Sequence, residues 1–438
     1  MSSHHFDPAP HYAPKVAPAK LYSVAKILVL VGAISYGAGL WLGGLASESA
    51  RGTFLVNLVY FLGLSAGGMA FSAILTLSLA RWGRGLKRLA EGFSAFLPWI
   101  LVLFAVYLAT GGMDLYEWNT PEGAASLHAH KAVYLTPVFW TVRLFVGLGI
   151  LTLLSKVLIR HSLRPDLIAA SEALGEDAPK SWASITSGAG ELADEVEASH
   201  NKQRALSSLI IPVYALTMTM TITDLVMSLS PHWYSNMFGG WFFVSCVWVT
   251  MMWLGIYTAF SRKWMGIESV LTPTVYHDLG KMVFGFGVLW AYMFYAQLLP
   301  IWYGNMTEEI GFLIVRLRLE PWNDIAKVVG TMCFLIPFTT LLSRGIKKKP
   351  VQLAIVFMIP AVGVWLERFL VALPSIWNES TIPFGAIEFG ITLGFIGGFL
   401  LVVTKFITSV PIVPITDVHM QPHPEDVHVV SMDKVSSH

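Results

Sequence analysis

The sequence predicts an all-α integral membrane protein with about ten transmembrane helices. Of its 438 residues, 55% are hydrophobic and 13% are charged, and the mean hydropathy is +0.60. Soluble domains carry about 25% charged residues, so a soluble fold could not bury this much apolar surface. The apolar residues also fall into ten long stretches, and a helix needs roughly 20 such residues to cross a bilayer.

These ten stretches define the predicted spans, with residues 22–45, 54–80, 91–112, 133–160, 206–229, 237–261, 280–302, 325–345, 351–373 and 384–407. The predicted organisation is a tail at 1–20, four helices within 21–160, a connection at 161–205, six helices within 206–407 and a tail at 408–438. The connection contains an acidic run rich in Ser and Ala, residues 173–199. This run is too polar for a bilayer, and we expect it to be mobile or partly helical.

The distribution of Lys and Arg predicts the orientation, because positively charged connections stay in the cytoplasm. Alternate connections hold most of these residues: Arg81, Arg84, Lys87, Arg88, Lys156, Arg160, Arg164, Arg262, Lys263, Arg344 and Lys347–Lys349. The other connections hold Arg51, Lys131, Arg316 and Arg318. Connections rich in Lys and Arg alternate with connections poor in them across all ten spans. This alternation predicts that both tails and the connection at 161–205 are cytoplasmic.

Composition also argues against several classes of site. The two cysteines, Cys246 and Cys333, cannot supply the four thiolates of a structural zinc site or an iron-sulfur cluster. The thirteen histidines lie in tails, connections or span edges, whereas intramembrane haems are commonly held by His pairs on facing helices. The net charge of +1 gives no reason to expect nucleic acid. We therefore predict no metal site and no nucleic-acid partner.

Charged residues within or beside the spans are the first candidates for a functional site, because charge at membrane depth is costly. They are Arg143, Asp224, Glu367, Arg368 and Glu388, with Asp114 at an outer helix end. Such a cluster can relay protons or hold a quinol head group, and structural pairing between helices is the alternative. Glu367 and Arg368 are adjacent and point about 100° apart on one helix, so they need not pair.

A second candidate is a polar seam on the cytoplasmic side of the seventh span. His277, Asp278 and Lys281 begin it, and Tyr292 and Tyr295 follow along the same helix. Several of these residues could share one face and lead protons inward, although ordinary aromatic packing is an equal alternative. Separately, the small residues Gly63–Gly68 in the second span favour close helix packing.

Three stretches resemble the polysulfide-reductase/NrfD-like membrane subunits: Gly63–Gly68, Asp224–Gly239, and His277–Lys281 leading to Gln297–Asn305 with Glu308 and Glu309. Within that family the second and third stretches are more similar to the ActF subunit of alternative complex III than to its sister, ActC. The resemblance covers most of the chain from the first span to the tenth. It implies two four-helix bundles with two further helices, in the inner membrane of a bacterium.

The resemblance also implies a role. The chain would be a non-autonomous subunit of a quinol:electron-acceptor oxidoreductase, with cytochrome c or an oxidase as acceptor and no redox centre of its own. Its partners would be membrane lipid, a sister NrfD-like quinol-binding subunit, iron-sulfur and multihaem cytochrome c subunits, and a terminal oxidase. The ligand would be menaquinol or ubiquinol. In this family the quinol site belongs to the sister subunit, and proton half-channels have been suggested for the ActF-like chain.

Two functional contributions therefore stay open, a quinol-site-like bundle and a proton pathway, and Asp224 lies inside a matching motif. Two other classes of protein also remain as alternatives. A secondary transporter would show inverted repeats with broken helices, and no convincing repeat is visible. A purely structural membrane anchor would not need a group of buried carboxylates.

Overall fold

A computed structural model describes residues 7–417, 419 and 420. The structure is 81% helical, and no strand occurs among these residues. The predicted class, an all-α multi-pass membrane protein, is confirmed. Most of the predicted C-terminal tail, residues 421–438, lies outside the described residues.

The helices that build the bundle are numbered here in chain order. They are α1 (Ala19–Leu42), α2 (Gly44–Leu77), α3 (Arg84–Ser94), α4 (Leu97–Ala109), α5 (Pro137–Leu174), α6 (Leu192–Leu225), α7 (Asn236–Met265), α8 (Pro273–Gly304), α9 (Thr307–Leu317), α10 (Trp322–Gly330), α11 (Ile336–Thr340), α12 (Pro350–Ala372) and α13 (Ala386–Ile407). Short α-helices lie in the connections at Pro121–Ser126, Ala129–Tyr134, Ala183–Thr186 and Arg344–Lys347. Single 3-10 turns occur at Ala9–His11, Gly112–Leu115, Glu117–Asn119, Gly175–Asp177, Lys180–Trp182, Met227–Leu229 and Leu373–Ser375.

Nine helical spans in the described part of the chain are long and apolar enough to cross a membrane, with α3 and α4 forming one of them. The predicted span at 325–345 is not among these nine. It consists of three consecutive helical pieces. A π-helical turn, Thr331–Leu335, joins α10 to α11, and the pieces are 9, 5 and 5 residues long. No piece crosses a bilayer alone, and π-turns of this kind often accompany functional sites.

The spans pack as two four-helix bundles and one helix pair. The first bundle contains α2, α3 with α4, α5 and α6. The second contains α7, α8, α10 with α11, and α12, and it contacts the first mainly through α2 and α7. Helices α1 and α13 pack along each other beside α2. This is the arrangement that the family resemblance implied.

Helix α2 lies at the centre of the protein, and 94% of its apolar span is buried. Its small residues let neighbouring backbones approach. A Cβ atom at Gly67 would lie 2.5 Å from the carbonyl oxygen of Cys246 on α7, and one at Gly68 would lie 2.4 Å from that of Ala90 on α3. The glycine-rich segment therefore serves close packing of three helices.

The two ends of the bundle differ in chemistry. The end that we call the basic end contains the connections 78–83, 266–272 and 341–349, together with residues 161–205. The opposite end, which we call the aromatic end, contains the connections 110–136, 226–235, 305–321 and 373–385. Hydrogen bonds join connections at the aromatic end, such as Lys131 Nζ to the Pro231 carbonyl at 2.7 Å.

Helices continue into the predicted connection at 161–205. Helix α5 runs on to Leu174 and α6 begins at Leu192, so the polar segment between them covers 175–191. Leu163 and Leu167 of α5 pack with Trp182, and Arg164 pairs with Glu195 at 2.7 Å. An apolar stripe on the extended α5 and this ion pair hold the two extensions together, which the composition of the segment did not reveal.

Candidate functional site

The charged residues predicted as one cluster are separate pairs in the structure. Arg143 pairs with Asp224, and Glu367 pairs with its neighbour Arg368. Glu388 accepts a hydrogen bond from Ser49, and Asp114 pairs with Arg51. Four sites therefore replace the single predicted cluster.

The Arg143–Asp224 pair joins α5 to α6 near the aromatic end. Arg143 donates Nε to Asp224 Oδ2 and Nη2 to Oδ1, each at 2.8 Å. The guanidinium also lies 3.7 Å from the centroid of the Tyr134 ring, and Trp140 donates to the Asp224 backbone carbonyl at 2.9 Å. Asp224 is fully buried. This bidentate arrangement satisfies both charges and is typical of a structural pair.

Glu388 and Asp114 lie near helix ends. Glu388 is in the first turn of α13, where its Oε2 accepts from the Gly385 amide at 2.7 Å and its Oε1 from Ser49 at 2.6 Å. It therefore caps α13 and ties it to α2. Asp114 is 65% exposed, and its contact with Arg51 measures 3.1 Å.

Glu367 and Arg368 form a buried pair, and Glu367 lies on the wall of a cavity. The two side chains contact each other although they are adjacent on α12. Trp290 of α8 donates its indole N–H to Glu367 Oε2 at 2.8 Å, and Arg368 also contacts the hydroxyl of Ser245 on α7. Both charged residues are buried. Glu367 differs from the other predicted carboxylates because it faces a large cavity.

This cavity, which we call the Glu367 cavity, has a volume of about 750 Å³ and lies between α7, α8, α9, α10 and α12. Its wall is largely aromatic and aliphatic. Trp290 and Phe294 lie nearly parallel, with 9° between their planes and 6.1 Å between centroids, and Trp241 lies 5.9 Å from Trp290. The volume and the few polar groups are typical of a small-molecule site.

The residues predicted to form one polar seam on α8 lie in two separate groups. Lys281 Nζ contacts Asp278 at 2.5 Å, and His277 lies 3.7 Å from the same carboxylate. Tyr292 and Tyr295 are instead more than half exposed and line the Glu367 cavity. Between the two groups, residues 282–291 carry no titratable side chain, and Lys281 and Tyr292 are about 17 Å apart along the helix.

A buried charge network at the basic end was missed by the sequence-based site prediction, which placed Arg84, Lys87 and Arg88 in a connection. These residues lie on α3 and are all buried. Arg88 contacts Asp166 of α5 and donates to Glu91 at 2.5 Å. The spacing 84, 87, 88 and 91 is the signal that could have located it, because residues three and four apart share one face of a helix.

The C-terminal segment completes this network. Asp417 pairs with Arg84 at 2.9 Å, and Thr416 donates its backbone amide to Asp166 at 2.9 Å. Burial acts to raise the pKa of Asp417, but Lys87 and Arg84 outweigh it, so the pKa lies below the ordinary range. A cavity of about 740 Å³ borders Lys87, Asp166 and Asp417. The network contains three cations and three carboxylates, so its formal charges balance.

Among the described residues, no group of three or more His, Cys, Asp or Glu side chains could hold a metal ion. No protein-family model and no curated protein matches this chain. The geometry above and the resemblance of its sequence stretches are therefore the observations that bear on its function.

Proposed function

We propose that this chain is a membrane subunit of a quinol-oxidising respiratory complex and that the Glu367 cavity binds the quinol head group. The observation that carries the proposal is a 750 Å³ aromatic cavity with a buried carboxylate on its wall. A quinol is a flat ring with two hydroxyl groups and an apolar tail. It needs apolar walls, aromatic faces and a group that accepts a hydroxyl proton.

The chain offers each of these. Trp241, Trp290 and Phe294 present aromatic faces, and such contacts favour flat rings. The Glu367 carboxylate is a suitable general base, because Arg368 balances its charge and Trp290 fixes one of its oxygens. Tyr292 and Tyr295 are exposed on the outward face of α8, so the apolar tail can extend into lipid there.

The expected setting follows from the resemblance and from the charge bias. The basic end lies in the cytoplasm of a bacterium and the aromatic end on the outer side of its inner membrane. Electrons pass to iron-sulfur and multihaem cytochrome c subunits and then to cytochrome c or a terminal oxidase. A sister NrfD-like subunit lies beside this chain in the same complex.

A second candidate function is proton transfer through the basic end. The specific observation is the buried network that leads from the 740 Å³ cavity at the basic end to Arg88, Glu91 and, through a 3.2 Å hydrogen bond, Ser72 of α2. Glu91→Gln should then lower the number of protons released per electron in vesicles while quinol oxidation continues. Full proton stoichiometry in Glu91→Gln, Asp224→Asn and Glu367→Gln complexes would exclude these three carboxylates from a proton path.

The experiment for the main proposal is purification of the tagged chain in a mild detergent. Subunit masses, haem, iron and quinol-driven reduction of cytochrome c or oxygen are then measured. We expect multihaem and iron-sulfur subunits to co-purify with quinol oxidation activity. A lone, colourless and inactive protein would contradict the proposal and favour a secondary transporter or a structural anchor.

A further inference from the structure

Arg316 is a buried cation on the wall of the Glu367 cavity, and its side chain is only 4% exposed. It donates Nη1 to the Phe312 carbonyl at 3.0 Å, and Nη2 to the Val371 carbonyl at 2.6 Å and to Ser375 Oγ at 2.5 Å. All three acceptors are neutral. No carboxylate whose side chain is described forms an ion pair with it.

Among the described side chains, the positive charge of Arg316 on the cavity wall therefore has no counter-charge. Glu367 is neutralised by Arg368, and Lys327, the other cation on the wall, pairs with Asp324 at 2.8 Å. A buried charge without a counter-charge is costly, and a ligand that brings an oxygen acceptor to it lowers this cost. Arg316 thus favours a ligand with an electron-rich oxygen.

Several residues of the same wall also have buried polar atoms that lack partners within the described residues. Three are donors, namely Arg316 Nε, Trp233 Nε1 and Trp241 Nε1. One is an acceptor, Asn323 Oδ1. Buried polar atoms in native proteins nearly always have a hydrogen-bond partner. Four such atoms belong to residues that line one cavity, and they are a second observation in favour of a polar ligand group in this region.

The position of Arg316 relative to Glu367 follows from α12. Residues 367, 371 and 375 are spaced by four, so they lie on one side of the helix and its terminal 3-10 turn. Arg316 binds groups of residues 371 and 375, which are one and two turns beyond Glu367, or about 6–12 Å along the axis. The cavity thus has a carboxylate at one level and an unpaired cation one to two turns nearer the aromatic end.

We propose that Arg316 is the second anchor of the head group and binds the ring oxygen opposite the one that contacts Glu367. This inference depends on the proposed function. The site then requires oxygens on both sides of the ring and discriminates against ligands with a single ring oxygen. The phosphate of an anionic lipid offers Arg316 the same oxygen chemistry, and the experiment must separate the two.

The test uses the purified complex and a photoreactive quinone, with labelling of this chain resolved from the other subunits by mass. Competition by a short-tailed quinone gives an apparent Kd for this chain alone. We expect Arg316→Gln to raise that Kd at least tenfold and Arg316→Lys to raise it less. Arg318→Gln is the matched control, because Arg318 is exposed two residues away, and it should leave the Kd unchanged.

A second arm needs no variant and stays informative if Arg316→Gln does not assemble. A ring analogue that lacks one of the two oxygens should compete at least tenfold more weakly in the wild-type complex. Equal competition, or an unchanged Kd in Arg316→Gln, would overturn the inference. Loss of a tightly bound anionic phospholipid from Arg316→Gln, with the quinone Kd unchanged, would also overturn it and assign Arg316 to lipid. Absence of any labelling of this chain in the wild type would instead contradict the proposed function.

Discussion

Trp290 donates its indole N–H to Glu367 at 2.8 Å, and the two residues lie on different helices that wall the same cavity. Arg368 contacts the other carboxylate oxygen. Each carboxylate oxygen can accept a second hydrogen bond, so a ligand hydroxyl can be received without breaking either contact. The pair thus holds the carboxylate in a fixed position beside an apolar cavity, which is the arrangement that a proton acceptor for quinol needs.

Glu367→Gln should weaken quinone labelling of this chain more than tenfold and lower quinol oxidation to a similar degree if this cavity is the oxidising site. The amide keeps the shape but removes the proton acceptor. It also leaves Arg368 buried without its counter-charge, which costs roughly 3–5 kcal/mol of stability. Thermal unfolding of the complex measures this loss, and competition labelling measures the affinity.

Glu388→Gln is the control for that variant, because Glu388 is also a buried glutamate on the aromatic side but does not line the Glu367 cavity. It should lose stability through its contacts with Ser49 and Gly385 while keeping the quinone affinity. An equal loss of affinity in both variants would show that the effect is general and not due to the cavity.

The Arg143–Asp224 pair should behave as a structural contact. Asp224→Asn leaves Arg143 without its carboxylate, and we expect it to lower stability by roughly 3–5 kcal/mol. Replacing both residues by apolar ones, Arg143→Met with Asp224→Leu, should recover most of that stability. Quinone affinity should stay within twofold in any variant that assembles. A selective loss of affinity in a stable double variant would contradict this assignment.

Gly67→Val should prevent assembly, because its side chain would meet the backbone of Cys246 and the Thr250 hydroxyl at 2.5 Å or less. Helices α2 and α7 cannot move apart here without disturbing the packing around the central α2. Gly149→Val on α5 is the control, since no atom lies within 4 Å of its added Cβ. Size-exclusion chromatography of the detergent extract distinguishes the two, and a normal elution profile for Gly67→Val would contradict the close packing.

Asp417→Asn should lower stability by about 1–3 kcal/mol, because Arg84 loses a charged acceptor in a buried setting. Its lowered pKa gives the sign of the pH dependence. The contribution is complete above the ordinary carboxyl pKa of about 3.9 and is lost as pH falls through the lower folded value. Thermal unfolding at several pH values measures this.

Asp324→Asn serves as the control for Asp417, because the Asp324–Lys327 pair is 71% exposed on both sides. Exposed pairs contribute little, so this variant should unfold as the wild type does. If Asp417→Asn unfolded at the same temperature as Asp324→Asn, the C-terminal segment would have no stabilising role in the basic-end network.

Much of the fold could be predicted from the sequence, because crossing a bilayer requires long apolar stretches wherever they occur. The span at 325–345 was predicted by its hydropathy, but the π-turn at Thr331–Leu335 was not. Local hydropathy does not register a change in hydrogen-bond spacing. Similarly, the extension of α5 beyond the predicted boundary depends on Trp182, a residue that contacts it only in the folded chain.

The candidate site was less predictable for a related reason. Depth along a span can be counted from its ends, but the rotation of one helix against another cannot. Asp224 and Glu367 have similar predicted depths, yet one faces Arg143 and the other faces a cavity. Arg316 was assigned to a connection, and its burial depends on the folding of α9 against α12. The charges at 84, 87, 88 and 91 on α3 have the three- and four-residue spacing of one helix face, and this spacing is visible in the sequence.

The most direct test of the central claim is a high-resolution structure of the purified complex with a tight-binding quinol analogue. The account predicts a ring in the Glu367 cavity, with one oxygen within hydrogen-bond distance of Glu367. An analogue bound elsewhere in the complex, with a lipid chain or nothing in this cavity, would contradict it.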